Sequence, residues 1–289
     1  MTPRIRRRPP LPQDLKPATC DLSALLTRLS LPTVRRLIPD TERLAIDQQL
    51  GHREFLAHLI VAEVLNRDQT RVQRLIRAAR FPFLKTIDDF TFAPKGGIRR
   101  DLIAPYLAPD FVGSGRNLVL SGKPGRGKTH LAIAIAVAAI QHGSDARFIT
   151  AAHLIDDLTA AAANGQLQIK AEPLITAKVL VIDELGYLPH AKDAANVLYT
   201  VIDARYLHRR PTIFTTNKPL RQWGGVLHDN DLAEALLDRI LENGRHVELG
   251  GKSWRTGRDE AAPPSPSSPS SPSSPVTTST DSEAATPTQ

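Results

Sequence analysis

The sequence predicts an α/β fold: a parallel five-stranded sheet covered by helices on both faces, preceded by a small all-helical unit. Three observations predict it. Beyond Phe81, short apolar runs alternate with longer helical stretches, the pattern of parallel strands joined by crossover helices. Those runs are apolar throughout, as strands covered on both sides must be. Before Arg80, by contrast, apolar residues recur every three or four positions, which is the spacing of helices.

Taken in chain order, residues 1–20 read as a disordered basic arm. "MTPRIRRRPPLPQDLKP" has the charge of a signal peptide but proline and polar residues where an apolar core should lie. Leu22, Leu25, Leu26 and Leu29 then mark one helical face, and Pro32 closes that segment. A longer helix is expected from Glu54 to about Ala79. Phe55, Leu59, Ala62 and Leu65 make its first apolar stripe, Val72, Leu75, Ile76 and Ala79 its second, and Pro82 stops it. Arg67, Arg71 and Arg74 share one face of this helix, with Arg77 and Arg80 nearby. Such a ridge either contacts nucleic-acid phosphates or pairs with acidic residues of a neighbouring subunit.

The expected strands are "NLVLS" (117–121), "ARFIT" (146–150), "KVLVID" (178–183), "TIFTTN" (212–217) and "RHVEL" (245–249). Amphipathic helices are expected between them, at 129–142, 152–163, 191–207 and 231–241. From residue 259 the chain becomes a Pro/Ser repeat with almost no large apolar residue. It cannot bury enough surface to offset its ordering entropy and is expected to be disordered.

Charge separates the two parts. The 289 residues carry a net +7, yet residues 1–100 hold 19 Lys+Arg against 10 Asp+Glu, while the remainder holds 18 against 20. A basic excess confined to one third of a chain points to a polyanion such as nucleic acid, or to a solvated face with no partner. Cys20 is the one cysteine, which leaves no intrachain disulfide or cysteine metal site and fits a reducing cytosol. The longest apolar run, Leu131–Ile140, is far shorter than the ~20 residues that span a bilayer, so no membrane partner is expected.

The chemistry is concentrated between the first strand and the helix after it. Gly122-Lys123-Pro124-Gly125-Arg126-Gly127-Lys128-Thr129 matches G-x-x-x-x-G-K-[ST] in a strand-to-helix context, which specifies a P-loop. Its glycines let backbone N–H groups cradle phosphates, and the helix start adds its positive dipole end. Lys128 supplies a charge for the β- and γ-phosphates of ATP, and the Thr129 hydroxyl a ligand for Mg2+. Fifty-five residues beyond Lys128, an apolar strand runs into Asp183 and Glu184. Asp183 is placed to hold Mg2+ from its outer shell, and Glu184 to orient or deprotonate the attacking water. Asn217, ending another strand, is placed to fix that water.

These motifs, with "ARFPFLKTIDDFTF" (79–92), "FITAAHLIDDL" (148–158), "VLVIDELGYLP" (179–189), "TIFTTNKPLRQWGGV" (212–226), "LAEALLDRI" (232–240) and "GKSWR" (251–255), make the chain resemble the IstB/DnaC-type AAA+ ATPases. The resemblance is greatest to the IstB-like helpers encoded beside the transposase in bacterial insertion sequences, and it runs from Leu22 to about Arg258. It implies a helical DNA- or partner-binding region at 21–80, an AAA+ domain at 81–258 and a bacterial cytoplasmic protein. It further implies Asn217 as sensor 1, Arg239 as an arginine finger completing a neighbouring subunit's site, Arg255 as sensor 2, and adenine laid against Phe90, with His130 following the loop. Two departures stand out. Arg126 occupies a position the family usually fills with a small or hydroxyl residue. The stretch between Arg239 and the tail is too short for a three-helix lid, so the lid is reduced.

The function implied is an ATP-hydrolysing transposition helper that oligomerises on duplex DNA with little sequence preference and presents it to a transposase. The helix after "FIT" (152–158) would add DNA backbone contacts. A replicative-helicase loader of the DnaC kind and a non-catalytic ATP-binding adaptor are the alternatives.

Overall fold

The computed structural model describes residues 21–92, 98–186, 188 and 193–250. The chain begins with α1 (Leu22–Arg28), α2 (Pro32–Asp47) and α3 (His52–Ala79), and continues through α4 (Arg100–Leu107) and α5 (Phe111–Ser114). Strands and helices then alternate: β1 (Asn117–Ser121), α6 (Lys128–Gln141), β2 (Ala146–Thr150), α7 (Ala151–Ala163), α8 (Leu167–Thr176), β3 (Val179–Asp183), α9 (Ala194–Leu207), β4 (Thr212–Thr216), α10 (Trp223–Leu227), α11 (Asn230–Glu242) and β5 (Gly244–Glu248). The basic arm, the Pro/Ser tail, Arg255 and residues 251–258 of the stretch read as a reduced lid lie outside the described residues.

The five strands run parallel in the order β2-β3-β4-β1-β5. Alternate side chains enter two separate cores, the period-2 consequence of a pleated strand. Val119, Leu180, Ile182 and Phe214 face one layer with α7 to α11. Leu118, Leu120, Val179, Val181 and Ile213 face the other, with α4 to α6 and the second half of α3. All five strands fall within a residue of expectation.

Two expectations need correction. The helix after the P-loop is not amphipathic: every residue from Leu131 to Ile140 is buried. α6 packs on the sheet inside, and α3 and α4 cover its outer side, so no face of it needs polar residues. Leu65 does not continue the stripe of Leu59 but is 57% exposed. α3 serves two bodies with opposite sides. Leu59 and Glu63 turn toward α2, whereas Val72, Leu75, Ile76 and Ala79 turn toward the sheet domain. At ~100° per residue, Leu59 and Leu75 point about 160° apart.

Glu63 holds the helical region together. α2 starts at Pro32 with no side-chain cap of its own. The Glu63 carboxylate supplies one from α3, accepting from the N–H groups of Thr33 (2.9 Å) and Val34 (3.2 Å), where the helix dipole favours a negative charge. Burial pushes this carboxyl up, and the bonds from Arg67, Val34 and Thr33 outweigh it, so it lies below its usual value.

Arg205, in the last turn of α9, is the sheet domain's buried cation, 1% exposed. No carboxylate among the described residues bonds it. It donates to the carbonyls of Leu174 (2.6 Å), Ala177 (2.8 Å) and Pro211 (2.6 Å), and to Thr212 Oγ1 (2.9 Å). Burial, with Arg210 nearby, lowers its pKa to about 9. Arg210 donates to Ile175 O as well (2.6 Å), so two arginines cap the carbonyl end of α8.

Candidate functional site

In a parallel sheet the strands end at one edge, and the loops leaving that edge form the natural binding crevice. Here the exits of β1, β3 and β4 surround a cleft of about 510 Å³. The loop after β1 supplies its floor. Gly122, Gly125 and Gly127 have φ of 140°, 78° and 82°, conformations that disfavour any side chain. Two of them are sterically fixed as well. A Cβ at Gly122 would lie 2.5 Å from the carbonyl oxygen of Leu249, and one at Gly127 would lie 2.9 Å from the Phe90 ring. α6 begins immediately after, at Lys128.

Pro124, Gly125, Arg126, Gly127, Lys128, Thr129 and His130 line the cleft in succession, with Phe90, Glu184 and Asn217 on its other walls. Gly122 and Lys123 sit behind the floor, their carbonyls accepting from Lys128 Nζ at 2.8 and 3.0 Å. Phe90 stands edge-on to His130, with ring centroids 5.3 Å apart. Its turn is fixed from below: Asp89 accepts from Thr86 N (2.9 Å) and Oγ1 (3.0 Å). These bonds from Thr86 hold the Asp89 carboxyl below its usual range. The family segment "IDDF" therefore forms an aromatic wall on the P-loop side of the cleft.

The β3 exit carries the acids. Asp183 is buried and accepts from Thr129 Oγ1, 2.9 Å to Oδ1. Glu184 follows at φ 60°, a left-handed conformation costing a non-glycine residue roughly 1–2 kcal/mol. Thr215, on the neighbouring strand, holds it there. Thr215 Oγ1 accepts from Glu184 N (2.9 Å) and donates to Asp183 Oδ1, while Thr215 O accepts from Leu185 N (2.8 Å). One hydroxyl thus fixes the spacing of both acids, a role the sequence reading did not assign. The available signal was a hydroxyl residue closing a buried strand just before Asn217. Thr216, Thr91 and Lys85 also line the cleft and were not expected.

The remaining candidates lie elsewhere. Arg239 is outside the cleft, its Nε donating to Asp203 Oδ1 (2.7 Å) and its guanidinium 4.8 Å from the centroid of Tyr199. Asp203 holds its pKa above the ordinary arginine value. On α3, Arg67 donates to Glu63 (2.8 Å) and to Ser30 O, and Arg71 to Gly143 O. Those two arginines therefore tie α3 to its neighbours, and Arg74 and Arg77 stand exposed beside them.

The cleft fits a nucleoside triphosphate with its metal. Arg126 Nη1 is buried in the wall with no hydrogen-bond partner among the described residues, an uncompensated donor that an anionic oxygen would satisfy. The Thr129 hydroxyl and Asp183 carboxylate are hard oxygen donors of the kind Mg2+ takes. The Phe90 ring stands where a Cβ on Gly127 would be, so the aromatic wall packs directly on the loop.

Comparison with known proteins agrees. The family model described as IstB-like ATP binding protein matches residues 24–262. The ATP-binding protein of insertion sequence IS5376 from Geobacillus stearothermophilus is 36% identical over 228 residues, covering 79% of this chain and 90% of that protein. The corresponding protein of IS21 from Pseudomonas aeruginosa is 33% identical over 235 residues, covering 81% and 88%. AMPPCP-bound DnaA from Aquifex aeolicus shares the AAA+ P-loop fold, with a TM-score of 0.50 and 19% identity over 59% of this chain and 51% of that one. On the extent of these matches, the chain belongs to the family of IstB-like ATP-binding proteins of insertion sequences.

Proposed function

We propose that the cleft binds ATP with Mg2+ and hydrolyses it, and that the chain uses this cycle as a bacterial cytoplasmic transposition helper, assembling with copies of itself on duplex DNA and presenting that DNA to a transposase. The observation that carries the reading is the linked set Thr129, Asp183, Thr215 and Glu184 beside a P-loop whose Arg126 has an unmet donor.

The division of labour follows from position. The loop N–H groups and Lys128 take the phosphates; Lys128 exchanges its bonds to Gly122 O and Lys123 O for phosphate oxygens of higher charge. Thr129 and Asp183 would hold Mg2+, which supplies charge neutralisation at the β- and γ-phosphates. Glu184, free of the sheet's ladder and aimed into the cleft, accepts a proton from water at its carboxylate, and Asn217 orients the same water. Phe90 and His130 offer a face for the base. Arg239, tied to Asp203 within its own chain, would reach the γ-phosphate of an adjoining copy as an arginine finger, so that assembly and hydrolysis are coupled. No helix among the described residues is long and apolar enough to cross a membrane.

A fluorescent ATP analogue and a phosphate-release assay test this in three proteins. Lys128→Ala should lose nucleotide binding. Glu184→Gln should bind as the wild type does but turn over at least about a hundredfold more slowly, the range of a lost general base. Unchanged turnover in Glu184→Gln would remove the catalytic assignment.

A further inference from the structure

A parallel sheet has two ends, and the one opposite the nucleotide is marked by charge. Basic residues flank the start of each strand: Arg147 in β2, Lys178 before β3, Arg209 and Arg210 before β4, Arg116 before β1 and Arg245 in β5. The register places them on one edge. Leu118 pairs with Arg245 and with Ile213, and Leu180 with Thr212, so Lys178, Arg210, Arg116 and Arg245 fall within about two residues of a common level.

Some of these cations answer needs of the fold. Arg205 and Arg210 bond the carbonyl end of α8, and Arg147 donates to Ala78 O (2.9 Å). Helix C-termini also favour a cation near Lys178 and Arg209. Arg116, Lys178, Arg209 and Arg245, however, are exposed, and among the described residues their side chains make no hydrogen bond or ion pair. They are held close regardless. Arg116 and Arg245 line one cleft of about 260 Å³ beside Tyr106. A Cβ on Gly115 would lie 2.8 Å from the carbonyl oxygen of Arg209, so the turns carrying Arg116 and Arg209 touch. The acids in reach are fewer than the cations: Glu242 lines the cleft and accepts from the Tyr206 hydroxyl, and Asp145 lies beyond Lys178 at the β2 end.

We propose that this edge, Lys178, Arg209, Arg116 and Arg245, is a contact surface for the phosphate backbone of duplex DNA, continuous with Arg74 and Arg77 of α3. Continuity follows from Arg71, whose bond to Gly143 O docks α3 just past the end of α6, three residues before β2 begins. Neighbouring strands lie ~4.8 Å apart, so β3 to β5 span about 15 Å, and a duplex presents about four base pairs over that length. A rigid row of point charges without exposed aromatic rings suits a duplex backbone. Single strands are bound by stacking platforms, and Tyr106 is buried. The proposal rests on the DNA-binding part of the proposed function and places the nucleotide and the DNA at opposite ends of the same strands.

The test uses the full chain with a non-hydrolysable ATP analogue and a labelled duplex of mixed sequence, titrated by fluorescence anisotropy over a range of KCl. R116Q/R209Q/R245Q should bind at least about tenfold more weakly near 0.1 M salt, with the slope of log K against log salt reduced by about three. Its melting temperature and affinity for the ATP analogue should stay at wild-type values, because none of the three residues lines the nucleotide cleft. R74Q/R77Q, measured alongside, should lose a further part of the slope. A folded triple variant with an unchanged slope would overturn the proposal while leaving DNA binding intact. A wild type that binds no duplex at low salt would instead overturn the DNA reading beneath it. A triple variant that loses binding only to phosphatidylserine vesicles would overturn the choice of partner.

Discussion

Thr215→Val removes one hydroxyl at nearly constant shape, and its consequence can be worked from two bonds. In the wild type, Thr215 Oγ1 accepts from Glu184 N at 2.9 Å and donates to the Asp183 carboxylate. The first is a neutral bond of about 1 kcal/mol net and the second a charged one of about 1.5–3 kcal/mol. Thr215 is 1% exposed, so water does not replace the lost partner, and folding stability should fall by about 2–4 kcal/mol. The catalytic effect is separable. Glu184 sits at φ 60°, uphill by roughly 1–2 kcal/mol for an L-residue, and the bond from its N–H offsets that strain. Without it the carboxylate leaves its aim in most molecules, and about 1–2 kcal/mol of lost positioning corresponds to about a 5- to 30-fold fall in kcat. Affinity for the nucleotide should change by less than about threefold, since the loop and Lys128 are untouched. Steady-state phosphate release and equilibrium titration with a fluorescent ATP analogue read turnover and affinity separately, and Thr215→Ser should restore stability and turnover. A Val variant that is less stable but turns over at the wild-type rate would show that Thr215 supports the sheet and not the acid.

Three further outcomes follow from the same geometry. Arg205→Met leaves the carbonyls of Leu174, Ala177 and Pro211 without their donors, and urea unfolding should show a loss of about 3 kcal/mol or more; Arg205→Lys should recover part of it. Glu63 has its folded pKa depressed, so the stability it contributes is present above the ordinary Glu value of about 4.3 and is lost as pH falls through the folded value. Glu63→Gln should flatten that acid limb in melting experiments. Arg239→Ala should keep nucleotide affinity yet lose at least about a thousandfold in hydrolysis, whereas Asp203→Asn, which frees the same guanidinium, should not. Mixing Arg239→Ala with Lys128→Ala subunits should recover activity, because each supplies the half-site the other lacks.

The parts legible in the sequence are those set by local rules. Strands showed as uninterrupted apolar runs because both faces are covered, and the P-loop showed because its φ values favour glycine at three positions. What stayed hidden depends on partners distant in sequence. α6 looked like any helix until α3 and α4 were seen to cover its outer side. Leu65 joined a stripe by spacing alone, yet α3 changes the side it buries halfway along its length. The Thr215 hydroxyl acquires its role from Glu184, 31 positions earlier, a distance no periodicity reports. Arg67 looked like a phosphate ligand because spacing gives a face but not its occupant. Here the occupants are Glu63 and the α1–α2 turn.

Arg126 shows how a departure from a family pattern becomes interpretable once atoms are placed. A small or hydroxyl residue at that position leaves the cradle to backbone groups alone. A guanidinium there brings a buried donor with nothing to bond, a cost of about 1–3 kcal/mol in the isolated chain. On the proposed function that cost would disappear when an anion enters, and the residue would convert instability of the empty cleft into selectivity for a filled one. The same logic runs through Lys128, whose bonds to neutral carbonyls are the weaker alternative to phosphate, and through Glu184, strained until Thr215 fixes it. Each places its unfavourable term at the cleft, where ligand or neighbouring strand offsets it. At the far end of the strands the exposed arginines repel one another, with no hydrogen-bond or ion-pair partner among the described residues. On the proposed reading the sheet is polarised: binding at either end would relieve a different unfavourable electrostatic term, and the rigid strands between them would give nucleotide and polyanion a shared frame.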